Sequence, residues 1–360
     1  MKKKSVLCIF GGRSNEYEVS LRSVCTVLDA LDREKYNVLT LGITKEGAWY
    51  LYEGPADAIR DDTWRLNSSF LRRAMLSPSF GEGLLFAQRK DWNGTFEALR
   101  VDVVIPVVHG SYAEDGNLQG LLSMSGIPYV GPHCTASAIG MDKAFTKLIL
   151  NNYGIPQAKC AVLTRREIET DEAGALARAE AVDGYPLFVK PANAGSSVGV
   201  SKVRSRDQLY DALKKAAQYD KKVLVEECIV GREVECAVLG NDDPTPSVPG
   251  EIASGADFYD YDAKYITDTS SDCIPAPVKP ETLEAVRAYA KRIFTILGCQ
   301  GLSRVDFFVR EDESIVFNEI NTLPGFTSIS MYPKLWNYMG KTTPALLDEL
   351  IALAETSDER

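Results

Sequence analysis

The chain of 360 residues carries a formal net charge of −10, with 45% apolar and 25% charged residues. This length predicts two or three domains, each with a core of its own. The acidic balance argues against nucleic-acid binding, which usually needs a basic face, and no apolar run reaches the roughly 18 residues of a transmembrane helix. Because a signal-peptide pattern is also lacking, we expect a cytoplasmic protein that contacts neither nucleic acid nor membrane.

The first third of the sequence alternates apolar runs with helical spacing. We predict strands at Ser5–Phe10, Val38–Ile43 and Val101–Val108 and a helix at Val19–Leu31, whereas residues 51–98 show no clear pattern. Continuous apolar strands separated by helices are typical of a parallel sheet that is covered on both faces. The predicted fold class is therefore α/β in this part of the chain.

Two of these strands end in polar loops, which begin at Gly11-Gly12 and at His109-Gly110. In open α/β sheets ligands bind at the carboxyl ends of strands. Glu16 could hold a substrate ammonium there, or it could interact with a helix dipole. His109 could bind an anion or be a buried structural histidine. The first loop is not the G-x-G-x-x-G fingerprint, which argues against a dehydrogenase.

The middle of the chain combines lysines with a Gly/Ser-rich turn. Lys143 lies near the start of a predicted helix, Met141–Asn152, where the helix dipole disfavours a cation. A bound polyphosphate would explain this position, and a surface lysine is the alternative. Lys190 ends a predicted strand, Leu187–Lys190, and the turn that follows leads into a strand at Val198–Val203. Such a turn suits phosphate oxygens, although an exposed hairpin would look similar.

The next segments are predicted from apolar periodicity. They are strands Val223–Glu227 and Glu233–Leu239 joined around Gly231, an aperiodic loop Asp257–Asp272, and a helix Thr282–Leu297. A loop of this length is either a lid over a site or a solvated polar segment.

The last two predicted strands form a hairpin. We predict them at Gly301–Val309 and Ile315–Asn321, joined by a four-residue turn, Glu311 to Ser314. In that register Asp306 lies opposite Glu319, and Arg304 lies opposite Asn321. Carboxylate and amide oxygens on one face suit Mg²⁺, and the arginine suits a developing negative charge. A charged, solvated sheet face is the alternative.

Cysteine and histidine usage narrows the chemistry. The eight cysteines form no CxxC pair, so we expect reduced and buried thiols. With two histidines in the chain, a cluster of imidazoles is excluded. Lysine, arginine, carboxylates and a metal are the expected catalytic groups.

Taken together and in order, the polar segments resemble one family. The matching segments are Gly11–Glu16, Glu18–Ser20, His109-Gly110, Glu114–Gly116, Met141–Lys143, Val189–Pro191, Gly195–Val200, Lys264-Tyr265, Arg304–Asp306, Asn318–Thr322 and Pro324-Gly325. This set resembles the D-alanine–D-alanine ligases and their vancomycin-resistance relatives, over nearly the whole chain. Each segment is a weak signal alone, whereas the ordered set is specific.

The resemblance implies a three-domain ATP-grasp enzyme, α/β with an α+β C-terminal part. Its domains would be a Rossmann-like parallel-sheet domain at 1–133, a central ATP-grasp subdomain at 134–226 and a C-terminal domain with metal site and lid at 227–360. It would join two D-amino acids through an acyl phosphate for peptidoglycan synthesis. ATP, two Mg²⁺ ions with Mn²⁺ as an alternative, D-alanine and a homodimer are the implied cofactors and partners.

The resemblance also carries roles to individual residues. The nucleotide would contact Lys143, Lys190, Ser196, Ser197, Glu226, Glu227, Ile229, Glu233 and Lys264, and the metal would contact Asp306, Glu319 and Asn321. The amino-acid substrates would contact Glu16, His109, Lys264, Tyr265, Ser330 and Met331. The catalytic set would be Glu16, Ser196, Tyr265, Arg304, the Gly325 N–H and Ser330.

Two positions bear on the second substrate. Ligases of this family that make D-Ala–D-lactate usually carry His where this chain has Tyr265, and those that make D-Ala–D-Ser or D-lactate products usually carry Arg where it has Met331. The resemblance therefore favours D-alanine. A D-Ala–D-Ser ligase is the first alternative, since one substitution in such a pocket can shift specificity. A non-catalytic sensor on the same fold is the second.

Overall fold

The computed structural model describes residues 3–91, 94–253 and 271–357, and the strands among them form three sheets. The predicted site residues Lys264 and Tyr265 lie outside the described residues. The same holds for most of the loop predicted at Asp257–Asp272.

The first sheet is mixed. Its strands are Lys4–Gly11 (β1), Tyr36–Ile43 (β2), Trp49–Tyr52 (β3), Leu71–Leu76 (β4), Leu84–Gln88 (β5), Phe96–Arg100 (β6) and Val103–Val107 (β7). They lie in the order β6-β5-β4-β3-β2-β1-β7, and β1 is parallel to β2 and β7. Strands β2 to β6 pair with one another in antiparallel fashion. The predicted parallel arrangement is therefore limited to three strands.

The antiparallel part of this sheet comes largely from residues 51–98, which showed no clear pattern in the sequence. Strand β5 alternates buried and half-buried side chains, and burial on one face leaves a weaker signal than a continuous apolar run. Helices Tyr17–Ala30 (α1), Ala56–Arg60 (α2) and Asn117–Ser125 (α3) accompany the sheet. Helix α1 is tied to the end of β1 because the Gly11 N–H donates to Ser20 Oγ at 2.8 Å.

The helix predicted at Met141–Asn152 begins two residues later, at Lys143 (Lys143–Asn152, α5), and a helix that was not predicted, Cys134–Met141 (α4), precedes it. Asp142 separates them with an extended backbone, and its carboxylate accepts from the N–H groups of Ala144 and Phe145. Aspartate is a favoured N-cap because it satisfies these free donors. Lys143 is consequently the first residue of α5.

The second sheet is antiparallel, in the order β10-β9-β11-β8. Its strands are Cys160–Thr164 (β8), Leu187–Pro191 (β9), Ser201–Val203 (β10) and Lys222–Glu227 (β11). Helices Arg165–Thr170 (α6), Glu172–Glu180 (α7) and Arg206–Tyr219 (α8) help form its core. The strand predicted at Val198–Val203 begins later, at Ser201, because the Gly/Ser turn continues to that point.

The third sheet has the order β15-β14-β12-β16-β17, with β13 beside β12. Its strands are Arg232–Gly240 (β12), Thr245–Pro246 (β13), Gly250–Ala253 (β14), Ser271–Cys273 (β15), Gly301–Val309 (β16) and Ile315–Asn321 (β17). The strands predicted on either side of Gly231 therefore belong to different sheets, β11 to the second and β12 to the third.

The predicted register of the last hairpin is confirmed. Asp306 pairs with Glu319 and Arg304 with Asn321, although a bulge shifts the pairing between Asp306 and Phe307. The connecting loop is one residue longer than predicted, since Val309 pairs with Ile315. The bulge takes up that extra residue, as bulges place two residues opposite one.

The final helices are Pro280–Ile296 (α9), Met331–Tyr338 (α10) and Thr343–Thr356 (α11). Helix α9 lies in the core of the third sheet. Apolar residues of α11, including Leu346 and Leu350, join the core of the first sheet. The end of the chain thus packs against its beginning.

All eight cysteines are free thiols, as expected. The expectation that they are buried is wrong for Cys134, Cys160 and Cys273, which are exposed. Among residues 3–91, 94–253 and 271–357, no helix combines the length and the apolar character needed to span a bilayer.

Candidate active site

Two adjoining cavities lie where the three sheets meet, with volumes of about 500 and 460 Å³. We call the larger one the substrate cavity and the other the nucleotide cavity, after the ligands that the family resemblance implies for their lining residues. Both are lined by Lys143, Ser196, Glu235 and Glu319. A reaction between molecules in the two cavities would therefore occur beside these four side chains.

Every predicted site residue that the structure describes lines one of the two cavities. The substrate cavity is lined by Glu16, His109, Lys143, Ser196, Arg304, Glu319, Asn321, Gly325, Ser330 and Met331. The nucleotide cavity is lined by Lys143, Lys190, Ser196, Ser197, Glu226, Glu227, Ile229, Glu233, Asp306 and Glu319.

Glu16 connects the first sheet to the Gly/Ser turn. It occupies the N-cap position of α1, but its side chain makes no capping bond. Instead, the Ser196 hydroxyl donates to the Glu16 carboxylate. A Cβ at position 195 would lie 2.2 Å from Glu16 Oε2, so the close approach requires Gly195. The carboxylate therefore faces the cavity rather than the helix dipole.

The Gly/Ser turn has an unusual backbone. Ser196 and Ser197 adopt positive φ angles of 49° and 58°. Non-glycine residues in this region cost about 1–3 kcal/mol each and persist where their surroundings hold them. The bond from Ser196 to Glu16 is one such restraint. This turn is thus shaped for a particular contact, unlike an ordinary exposed hairpin.

His109 is buried under the substrate cavity. Its Nδ1 lies 3.0 Å from the Leu323 carbonyl oxygen and therefore donates to it, while Nε2 lies 3.3 Å from Ser23 Oγ. Burial lowers the pKa of His109, because desolvation penalises the charged form. A neutral His109 ties the end of the first sheet to the loop that follows β17.

Two lysines share one buried carboxylate in the nucleotide cavity. Lys190 Nζ lies 2.6 Å from Glu226 Oε2, and Lys147 Nζ lies 3.0 Å from Glu226 Oε1. Burial would raise the pKa of Glu226, but Lys190 and Lys147 outweigh it and lower that pKa. Burial lowers the pKa of Lys190 despite its partner. Two cations around one anion suit a polyphosphate ligand.

Lys143 is not the surface lysine considered as an alternative. Its side chain is 12% exposed, and its Nζ lies 3.2 Å from Glu319 Oε2. The ammonium also donates to the Ala194 carbonyl at 3.0 Å. Lys143 therefore joins α5, the Gly/Ser turn and β17 at the boundary between the cavities.

The predicted metal ligands converge as the hairpin register required. Asn321 Nδ2 donates to Asp306 Oδ2 at 2.8 Å, and Glu319 lies across from Asp306. Arg304 and Lys143 supply the positive charge that faces these oxygens. A set of two carboxylates and one amide suits a divalent cation that takes its other ligands from phosphate or water.

The remaining nucleotide-cavity residues differ in how their side chains are used. Glu227 Oε1 accepts from the Lys159 N–H at 2.8 Å, and its other oxygen lies 3.7 Å from Arg310. Both oxygens of the Glu227 side chain are therefore close to partners within the protein. Ile229 and Glu233 line the cavity beside it.

The loop after β17 contributes to the substrate cavity. The Thr327 N–H donates to Ser330 Oγ at 3.0 Å, and the two hydroxyl oxygens lie 2.7 Å apart. A Cβ at Gly325 would lie 2.8 Å from Ser330 Oγ. Met331, the first residue of α10, is 2% exposed and forms an apolar wall.

Sequence reasoning missed three buried charged residues. Lys147 lies one helical turn after Lys143, and Glu235 lies two residues after Glu233 on β12. Both spacings place the missed residue on the same face as a predicted one, so this signal could have found them.

The third residue, Glu114, stands in the matched segment Glu114–Gly116, but no role was predicted for it. It accepts from the N–H groups of Gly110 and Leu323, both at 2.9 Å. Burial and then the Glu16 charge raise the pKa of Glu114 to about 8.

Comparison with known proteins identifies the family. Models described as the D-ala D-ala ligase N-terminus and C-terminus match residues 5–132 and 149–352. D-alanine–D-alanine ligases of Acetivibrio thermocellus and Ruminiclostridium cellulolyticum are 49% and 48% identical, over 98% of this chain and 96% of each relative. Among solved structures, the VanG D-Ala:D-Ser ligase from Enterococcus faecalis is 38% identical, with a TM-score of 0.88 over 98% of this chain and 100% of that one. The D-alanine–D-alanine ligase from Coxiella burnetii is 34% identical, with a TM-score of 0.84 over 98% and 94%. The chain therefore belongs to the D-alanine–D-alanine ligase family and has its ATP-grasp fold.

Proposed function

We propose that the protein uses ATP to join two D-alanines into D-alanyl-D-alanine through D-alanyl phosphate. The observation that carries this proposal is the meeting of the two cavities at Lys143, Ser196 and Glu319. A nucleotide in one cavity and an amino acid in the other would bring a phosphate beside a carboxylate. Family membership supports the same reaction. The product would supply peptidoglycan synthesis in the cytoplasm.

The nucleotide cavity would act by position and charge. Phosphoryl transfer is assisted mainly by alignment and by neutralising the phosphate oxygens. Lys143 and Lys190 would hold those oxygens, with Ser197 of the Gly/Ser turn above them. Glu226, Glu227, Ile229 and Glu233 would hold the adenosine. These roles rest on the lining of the cavity and on the family resemblance.

The divalent cation would bind Asp306, Glu319 and Asn321. When bound, it would neutralise charge on the transferred phosphate. We propose two Mg²⁺ ions, with Mn²⁺ as an alternative. Glu319 already faces the Lys143 ammonium at 3.2 Å, so this side chain would orient both the cation and the lysine.

The substrate cavity would hold the two amino acids and exclude water. Glu16, supported by Ser196, would bind the first ammonium, and His109 would lie near the first carboxylate. Attack by the second amine builds a negative oxygen, which Arg304 and the Gly325 N–H would stabilise. Ser330 would contact the second carboxylate. The resemblance assigns Lys264 and Tyr265 to substrate contact as well.

The second substrate is proposed to be D-alanine because Met331 presents an apolar wall. D-serine is the second candidate, favoured by the similarity to the VanG D-Ala:D-Ser ligase. A hydrophobic pocket discriminates weakly against an added hydroxyl, by about 10²-fold. The choice between the two substrates therefore needs a direct competition.

Phosphate release with ATP and Mg²⁺ tests the substrate assignment. We expect release and dipeptide formation with D-alanine alone, and no gain when D-lactate is added. Mixed D-alanine and D-serine should yield mostly D-alanyl-D-alanine. Preferential formation of D-alanyl-D-serine would overturn the assignment of the second substrate. ATP binding without turnover of any D-amino acid would leave the sensor as the better reading.

The family resemblance further suggests a homodimer. Sedimentation equilibrium of the purified chain tests this proposal, and a monomer at micromolar concentration would contradict it.

A further inference from the structure

A third carboxylate lies in line with the two proposed metal ligands. Glu235 on β12 pairs with Asp306 on β16, and Asp306 pairs with Glu319 on β17. Residues directly opposite on neighbouring strands project to the same face. The row therefore brings three carboxylates to the boundary between the cavities, which Glu235 and Glu319 both line.

Arg304 is bonded to two members of this row. Its Nε and Nη2 donate to the two oxygens of Asp306 at 2.8 and 2.7 Å. Its Nε also lies 2.9 Å from Glu235 Oε2. Both side chains of the Arg304–Glu235 pair are nearly buried, at 10% and 7% exposure, so this contact is little weakened by solvent.

The two carboxylates differ in what else they must do. In the proposed function Asp306 also binds the divalent cation, and its oxygens are then shared between the cation and Arg304. Glu235 is not among the proposed metal ligands, so it can keep its contact with Nε. A guanidinium anchored at Nε could turn an Nη group toward the substrate cavity, where the negative oxygen would form.

We propose that Glu235 is a positioning residue that keeps Arg304 aimed at the reacting carbonyl while Asp306 binds the metal. This inference rests on the proposed function. It deepens that function by giving Arg304 a second, metal-independent anchor. If Glu235 only balanced charge in the sheet, its loss would lower folding stability. It would then slow acyl phosphate formation and peptide bond formation to the same extent.

The test separates acyl phosphate formation from peptide bond formation. Positional isotope exchange of ¹⁸O within ATP, in the presence of D-alanine, reports reversible formation of the acyl phosphate. Steady-state kinetics report dipeptide. For Glu235→Ala we expect kcat for dipeptide to fall by about 10²-fold, as for loss of an aligned oxyanion donor. Isotope exchange and the KM for ATP should change by less than threefold.

Glu235→Gln keeps a carbonyl oxygen that can accept from Arg304 Nε. We expect it to recover most of kcat, to within about tenfold of the wild type, because an oxygen stays at the position 2.9 Å from Nε, although its charge is lost. This variant also keeps the test valid if Glu235→Ala does not fold.

Glu251→Ala is the matched control. Glu251 is a buried carboxylate on β14, and it accepts from Arg232 Nη1 at 2.9 and 3.1 Å. It is not among the described residues that line either cavity. We expect a loss of folding stability but an unchanged kcat.

Three results would overturn the inference. They are equal loss of exchange and dipeptide in Glu235→Ala, a rise in the KM for ATP at constant kcat, and no recovery in Glu235→Gln. Absence of exchange and dipeptide in the wild type would instead contradict the proposed function itself, so the two failures are distinguishable.

Discussion

Replacing Arg304 by methionine is expected to lower kcat for dipeptide formation by at least about 10²–10³-fold, the usual effect of removing an oxyanion donor. The same change should destabilise the fold by about 3–5 kcal/mol, because it leaves buried carboxylates without their partner. Burial opposes the charge of Arg304, but Asp306 and Glu235 outweigh it and raise its pKa above the usual value. The guanidinium is therefore charged throughout the working pH range.

Steady-state kinetics and urea unfolding measure the two effects of Arg304→Met. Added Mg²⁺ should recover part of the lost stability, because the cation supplies charge to Asp306 and Glu319. Arg304→Lys is the control, since it keeps the charge but not the two parallel bonds to Asp306. It should fold better than Arg304→Met and remain slow. A methionine variant with wild-type kcat would remove Arg304 from the mechanism.

Replacing Glu226 by glutamine is expected to destabilise the nucleotide-free protein by about 3–5 kcal/mol, since Lys147 and Lys190 lose the carboxylate between them. ATP should stabilise this variant more than it stabilises the wild type, because its phosphates replace the missing negative charge. Urea unfolding with and without ATP, without D-alanine, measures both quantities.

The stability that Glu226 contributes through its two lysines should decrease at low pH. The lysines lower the folded pKa of Glu226, so its contribution is present above about 4.5 and is lost as pH falls through the folded pKa. The stability difference between wild type and Glu226→Gln should therefore shrink on acidification.

Glu227→Gln is the control for this experiment, because Glu227 is also proposed to hold the adenosine but accepts from the Lys159 N–H instead of pairing with the two lysines. We expect a small change in stability and no unusual stabilisation by ATP. If Glu226→Gln proves as stable as Glu227→Gln without nucleotide, the shared ion pair contributes nothing to the fold.

The C-terminal hairpin shows what the sequence could predict. Arg304 and Asp306 on one strand, and Glu319 and Asn321 on the other, are each two residues apart, so the pairing of Asp306 with Glu319 followed from the side-chain period of two. The bulge beside Phe307 left this pairing intact because it compensated the longer turn.

Other features depended on tertiary context. The start of α5 at Lys143 is set by the Asp142 cap, which apolar periodicity does not reveal. The second ion pair of Glu226 joins α5 to β11, elements that are far apart in sequence. Likewise, the contact of Ser196 with Glu16 spans 180 residues. Local patterns place each residue on its element, but only packing brings such pairs together.

The domain boundaries at 133 and 226 remain a prediction. Helix α11 lies in the predicted C-terminal domain, but its apolar side chains belong to the core of the first sheet. The proposed roles of Lys264 and Tyr265 likewise rest on the family resemblance.

Transfer of one oxygen atom from D-alanine to phosphate tests the proposed acyl phosphate pathway most directly. D-alanine labelled with ¹⁸O in its carboxylate is incubated with the protein, ATP and Mg²⁺, and the released phosphate is analysed by mass spectrometry. We expect one ¹⁸O to be transferred to phosphate for each D-alanyl-D-alanine formed, because the carboxylate oxygen leaves with the phosphoryl group. Unlabelled phosphate, with or without dipeptide, would contradict an acyl phosphate pathway.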